Sequence, residues 1–121
     1  MDISKLRERV YLLNSERKRL QDYLLKPRNM IRGSLYKLHR RCGNPNCKCA
    51  KGDKHVGNYI SMNKEGKTHL TYVKEKDIVR VEKETSNYRK YQRRMARIRK
   101  INEEIFTILK KIRDEKVKEH K

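Results

Sequence analysis

Apolar residues recur near the start of the chain at Ile3, Leu6, Val10, Leu13, Leu20 and Leu24. The steps of three and four, then seven and four, are those of an amphipathic helix seam, with Arg17 as its one break. Asp2 suits the N-cap of this helix. Pro27 stops it, because it biases Lys26 away from helical angles. A longer stripe runs through Ile78, Val81, Tyr88, Tyr91, Met95, Ile98, Ile105, Leu109 and Ile112, with Thr85 and Asn102 as polar interruptions. It predicts helix over residues 75–118, with the weakly helical "TSN" at 85–87 as a place to bend.

Between the two stripes the period shortens toward two. "GSLYKLHR" (33–40), "VGNYISMN" (56–63) and "KTHLTYVK" (67–74) read as short strands. Val56, Ile60 and Met62 fall on one side of the second strand. In the third, Leu70 and Tyr72 oppose Thr71 and Val73. "NKEGK" supplies a glycine-containing hairpin between the last two. All five glycines lie within residues 33–66 and both flanks lack them, which marks a compact insert between helices. The predicted fold is α+β. Long N- and C-terminal helices pair as an antiparallel coiled coil (residues 1–31 and 75–121), with a small zinc-stapled antiparallel sheet (residues 32–74) inserted between them.

Composition sharpens this picture. The chain has 121 residues, is 35% hydrophobic and contains one Phe and no Trp. A core from that inventory is thin, and such chains usually need a metal, disulfides or oligomerisation. The charge is +19, from 34 Lys and Arg against 15 Asp and Glu, which calls for a polyanionic partner. No apolar run approaches the ~20 residues that span a bilayer, so no membrane partner is expected. The first residues do not read as a signal peptide. The three cysteines fit a secreted disulfide framework poorly. A cytoplasmic, reducing location is therefore expected.

"RRCGNPNCKCAKGDKH" (40–55) holds every cysteine. Cys42, Cys47, Cys49 and His55 offer three thiolates and an imidazole, the donors that a tetrahedral structural zinc takes. Gly43, Pro45 and Gly52 allow the tight turns such a site needs. The blander alternative is three reduced thiols beside a solvent-facing histidine, but clustering all three within eight positions speaks against chance. His39 and His69 stand as alternative fourth ligands. Asp53 is the one acid of the loop, which leaves no acid–base pair for a catalytic metal, so an enzyme is not expected.

Together with "YISMNKEGKTHLTYV" and "NYRKYQ", this loop resembles a family of small basic bacterial and archaeal proteins known as a domain of unknown function. Its pattern is Cys-Gly-x3-Cys-x-Cys, a nearby His, a Gly-Lys-Thr hairpin and a helix with Asn-Tyr-Arg. The resemblance covers roughly residues 33–92. In that family a proline often opens the helix after the last strand and Gly-Pro often follows the histidine. Here those places hold Lys74 and Val56-Gly57. The resemblance implies a metal-binding module and a setting near transposons and other mobile elements. It brings no established activity.

From Thr85 to Asn102 there is no acidic residue, while Arg89, Lys90, Arg93, Arg94, Arg97, Arg99 and Lys100 all fall there. Arg89, Arg93, Arg97 and Lys100 share one helical face, with Lys90 and Arg94 flanking it. The loop adds Arg40, Arg41, Lys48, Lys51 and Lys54. Charge runs are usually solvated faces, but eighteen residues without a counter-charge favour phosphate contact. The expected function is non-catalytic nucleic-acid binding, DNA ahead of RNA. The rivals are an adaptor docking a transposase or nuclease, and an RNA- or ribosome-associated protein. The tyrosines read first as seam packing rather than base-stacking platforms, though Tyr36, Tyr59 or Tyr72 on a sheet could stack on bases. The two helices differ in length, so part of the longer stripe is left over. A homodimer is expected to cover it, around Arg17 and Asn102. The alternative is a sheet folded back over the long helix.

Overall fold

A computed structural model of the chain describes residues 2–40 and 55–120, and only the backbone of Arg40 and His55. Its elements are α1 (Ile3–Leu24), β1 (Ser34–Arg40), β2 (His55–Lys64), β3 (Lys67–Tyr72) and α2 (Ile78–Lys116), with a short 3-10 turn, Glu75–Asp77, before α2. The chain divides into two compact units. One comprises Met1–Pro27 with Tyr91–Lys121, the other Arg28–Lys90.

The first unit is a helix pair. The Asp2 carboxylate accepts a hydrogen bond from the Ser4 N–H at 2.9 Å, capping one of the donors a helix start leaves open. The helices run antiparallel. Arg9 bonds Glu104 at 3.0 Å and Glu16 bonds Arg97 at 2.7 Å, so partners descend α2 as α1 advances. Leu13, Ile101 and Ile108 form the buried centre, with Leu6, Val10, Leu20, Ile105 and Ile112 packed around it. The α1 stripe is therefore the one expected. The α2 stripe is shifted. Ile101 and Ile108 are buried where Asn102 and Leu109 were expected, and Leu109 and Met95 are exposed. Ile98, Ile105 and Ile112 fit both registers. The choice falls to the register that buries two isoleucines in place of an asparagine and a leucine, since a buried amide without partners is costly.

Two of the three polar breaks of the stripes, Arg17 and Asn102, meet within the chain. Arg17 donates through Nη1 to Asn102 Oδ1 at 2.8 Å and through Nη2 to Asn14 Oδ1 at 3.2 Å. Ile101 is 0% exposed and Leu109 50%, and this contrast sets a test of the register. Ile101→Ala is expected to cost about 2–5 kcal/mol, and Leu109→Ala no more than about 0.5 kcal/mol. Urea unfolding of the two variants measures both; equal losses would return the seam to Asn102 and Leu109.

The second unit carries the sheet, in the order β1-β2-β3 and antiparallel throughout. The β2–β3 turn is Glu65-Gly66, both at positive φ (54° and 78°), the geometry of the two-residue hairpin turn whose twist matches the strands. Val73, just beyond β3, is buried, as are Val81 and Thr85 on the first turns of α2. Thr85 donates its hydroxyl to Val81 O at 2.8 Å and also lies within reach of Glu82 O, so a buried polar group is satisfied and the helix continues without a break through 85–87. The Ile31 N–H donates to Glu84 O at 3.0 Å and Asn87 Nδ2 to Asn29 O at 3.2 Å, tying the segment before β1 to α2. The start of α2 thus has cover of its own within this unit.

Candidate nucleic-acid interface

The basic positions of α2 sort into two kinds. Arg89, Lys90, Arg93, Arg99 and Lys100 are exposed, and among the described residues none of them forms an ion pair. Arg89, Arg93 and Lys100 are spaced by four and seven, so they project from one face of the helix. Arg94 and Arg97 are committed elsewhere, within the helix pair. The Arg94 guanidinium lies 3.6 Å from the centre of the Tyr23 ring, a cation–π contact, with Nη1 buried and without a hydrogen-bond partner. Arg97 donates through Nε and Nη2 to the two carboxylate oxygens of Glu16, at 2.8 and 2.7 Å, a bidentate fork. The acid-free run therefore holds fewer available cations than its sequence suggests.

The Glu16–Arg97 fork has a pH signature. The hydrogen bond from Arg97 holds the Glu16 carboxyl below the usual carboxylate range, and the same bond raises Arg97. A carboxyl lowered in the folded state contributes stability above its unfolded pKa, about 4.3. That contribution is lost as pH falls through the lower folded value. Both side chains are more than a third exposed, so the effect is small. The melting-temperature gap between the wild type and Glu16→Gln is expected to be constant above about pH 5 and to close below about pH 4. Thermal melts across that range read it, and a gap that widens in acid would assign the fork no such role.

A second basic surface escaped the sequence reading. Arg28, Lys76, Arg80 and Lys83 border an open groove of about 600 Å³ in the second unit, together with Asn29, Glu84 and Asn87. Arg80 is held by Glu84 at 3.0 Å and lies 3.8 Å from Asp77. Lys76 and Lys83 are in no ion pair among the described residues. The signal was present as the spacing Lys76, Arg80, Lys83 on one helical face. Asp77, Glu82 and Glu84, interleaved along the sequence, masked it.

Cys42, Cys47, Cys49, Arg41, Lys48, Lys51 and Lys54 lie outside the described residues, as do the side chains of Arg40 and His55. The sheet places the two ends of that segment. Arg40 pairs with His55, so the segment between them leaves and re-enters the sheet at one end. His39 pairs with Val56, next to that end. His69 pairs with Met62, seven residues along β2 from His55, about 23 Å at ordinary strand rise. His69 thus stands far along the sheet from the end where His55 and His39 lie. Among the described residues no three His, Cys, Asp or Glu side chains gather as a metal site, and no helix is long and apolar enough to cross a membrane.

A family model described as a domain of unknown function (DUF6788) matches residues 4–83. The match takes in α1, the sheet and the first turns of α2, where the loop resemblance began only at the first strand. No curated protein and no solved structure matches the chain. The chain belongs to the DUF6788 family.

Proposed function

We propose that this member of the family is a non-catalytic, zinc-containing nucleic-acid-binding protein, with DNA ahead of RNA as the ligand and a role as an accessory factor of a mobile element. The observation that carries the reading is the set of exposed cations Arg89, Lys90, Arg93 and Lys100, unpaired among the described residues, on a chain of net charge +19. Cations that meet no carboxylate at home are free to displace the counterions of a phosphate backbone. Zinc, held by Cys42, Cys47, Cys49 and His55, is the staple for a sheet whose own core is small. Bound there it supplies cross-linking and no open coordination position. The helix pair is read as an antiparallel coiled coil. Four-three spacing from Ile98 to Ile112 and the flanking pairs Arg9–Glu104 and Glu16–Arg97 support this.

A salt titration of binding to duplex DNA, single-stranded DNA and structured RNA tests the function. A steep fall of log affinity with log salt is the expected result. Absence of binding to all three at low salt would pass the reading to the adaptor. That second reading draws on Tyr11, Leu12, Phe106 and Leu109, large apolar side chains at least half exposed on the helix pair. A transposase or nuclease is the class of protein such an adaptor would dock.

A further inference from the structure

Lys76, Lys83 and Lys90 recur every seven residues, from the 3-10 turn into the first part of α2. Seven residues are close to two helical turns, so the three stand in one row on one side of the helix. Each step is roughly 10 Å, and the row runs about 21 Å. All three side chains are exposed, and among the described residues none of them forms an ion pair. The whole row belongs to the second unit.

Lys76 and Lys83 line the open groove of about 600 Å³, with Arg28 and Asn29 on its other wall. That wall is fixed before any ligand arrives. The Ile31 N–H donates to Glu84 O and Asn87 Nδ2 to Asn29 O, which ties the segment to α2. Arg80 stands between the two lysines. One hydrogen bond, from Nη1 to Glu84 at 3.0 Å, orients it, and a guanidinium with five N–H donors keeps others for a ligand. The nearby acids are turned inward or aside. The Glu84 side chain is only 14% exposed and is held by Arg80, which also lies 3.8 Å from Asp77. Glu82 directly precedes Lys83, so it points about 100° away around the helix. No acid follows between Thr85 and Lys90. Val79, between Lys76 and Lys83, is 80% exposed and sets no carboxylate against an anion. Among the residues that line the groove there is no aromatic ring.

We infer that the row Lys76–Lys83–Lys90, with the groove beside it, is a track for a chain of phosphates, the backbone of a nucleic acid held without contact to its bases. Cations set at intervals along 21 Å meet an extended polyanion at several phosphates, whereas a single small anion fills one interval. Lysine ammoniums serve phosphate as point charges. Backbone contacts of this kind carry no sequence information. The inference rests on the nucleic-acid reading above and adds a contact on a different side of α2 from Arg89, Arg93 and Lys100. Free inorganic polyphosphate presents the same chemistry, so the test includes it.

The test uses the full chain with labelled DNA duplexes of two unrelated sequences and with inorganic polyphosphate. Lys76→Gln with Lys83→Gln is expected to weaken binding of both duplexes about tenfold at low salt, equally for the two sequences. The slope of log affinity against log salt is expected to fall by about 2. Lys76→Arg with Lys83→Arg keeps the charge and is expected to bind as the wild type. Lys111→Gln with Lys118→Gln removes the same charge away from the row and is expected to leave the slope unchanged. Circular dichroism checks that each variant is folded. A double Gln variant with wild-type affinity and slope would overturn the track and leave the nucleic-acid reading standing, as would an equal loss in the Lys111 and Lys118 variant. A wild type that binds polyphosphate but no duplex, with the polyphosphate lost in the double Gln variant, supports the track as a site for the free polymer and overturns the nucleic-acid reading. A wild type that binds neither overturns both.

Discussion

Arg89, Arg93 and Lys100 changed together to Glu are expected to weaken binding to duplex DNA at least about 100-fold at low salt. The slope of log affinity against log salt is expected to fall by about 3. Each cation that meets a phosphate releases close to one counterion, so three lost contacts appear in the slope as well as in the affinity. The three side chains are exposed and share one face, and glutamate is as good a helix former as lysine. The helix should therefore survive, which circular dichroism checks. Arg97 is left out of this variant because it forks Glu16. Reversing it would set two carboxylates against each other across the helix pair and confound folding with binding. If the triple variant bound DNA as tightly as the wild type, phosphate contact would belong elsewhere, to Lys76 and Lys83 in the groove or to residues 40–54.

The second large effect is expected from the metal. Protein purified without added zinc should carry one equivalent, and Cys42→Ser or Cys47→Ser should lose it. Structural zinc binds with an apparent free energy of about 10–16 kcal/mol, as large as the whole stability of an ordinary domain, about 5–15 kcal/mol. A three-stranded sheet whose third strand is exposed along its whole length has little else to set against that loss. Stripping the metal is thus expected to abolish hydrogen-exchange protection in residues 34–40 and 55–72. The helix pair, with its own core of Leu13, Ile101 and Ile108, should keep its helical signal. His55→Ala should weaken metal retention more than His39→Ala, and His69→Ala should leave it unchanged. Less than half an equivalent of metal, with three freely titrating thiols, would remove zinc from the account.

Local chemistry was the legible part of this sequence. Asp2, Pro27 and the three-four spacing of Leu6, Val10 and Leu13 outline α1 from information lying within a turn or two of each residue. The three strands and the Glu65-Gly66 turn are legible for the same reason. The register of α2 was not. Ile98, Ile105 and Ile112 belong to both candidate seams, and the deciding pair, Ile101 and Ile108 against Asn102 and Leu109, is chosen only when α1 packs against it. The sorting of the arginines was hidden by distance. Arg97 sits in an acid-free stretch, yet its carboxylate partner is Glu16, 81 positions away. Arg94 is taken up by Tyr23 in the same manner. Strand register, by contrast, turned three scattered tyrosines, Tyr36, Tyr59 and Tyr72, into one row, which no local pattern announces.

The helix pair is built from segments far apart in the chain, and this sets an order of events during synthesis. Leu13 precedes its buried neighbour Ile101 by 88 residues. At translation rates of about 5–20 residues per second, α1 waits roughly 4–18 s for its partner to be made. Helices such as α1, 22 residues long, draw most of their stability in proteins from packing of the apolar face. Leu6, Val10, Leu13 and Leu20 therefore spend that interval as an exposed apolar stripe on a nascent chain. The second unit is contiguous from Arg28 to Lys90 and meets no such delay. A slower ribosome is accordingly expected to lengthen the wait of α1 for its partner and to leave the contiguous second unit unaffected.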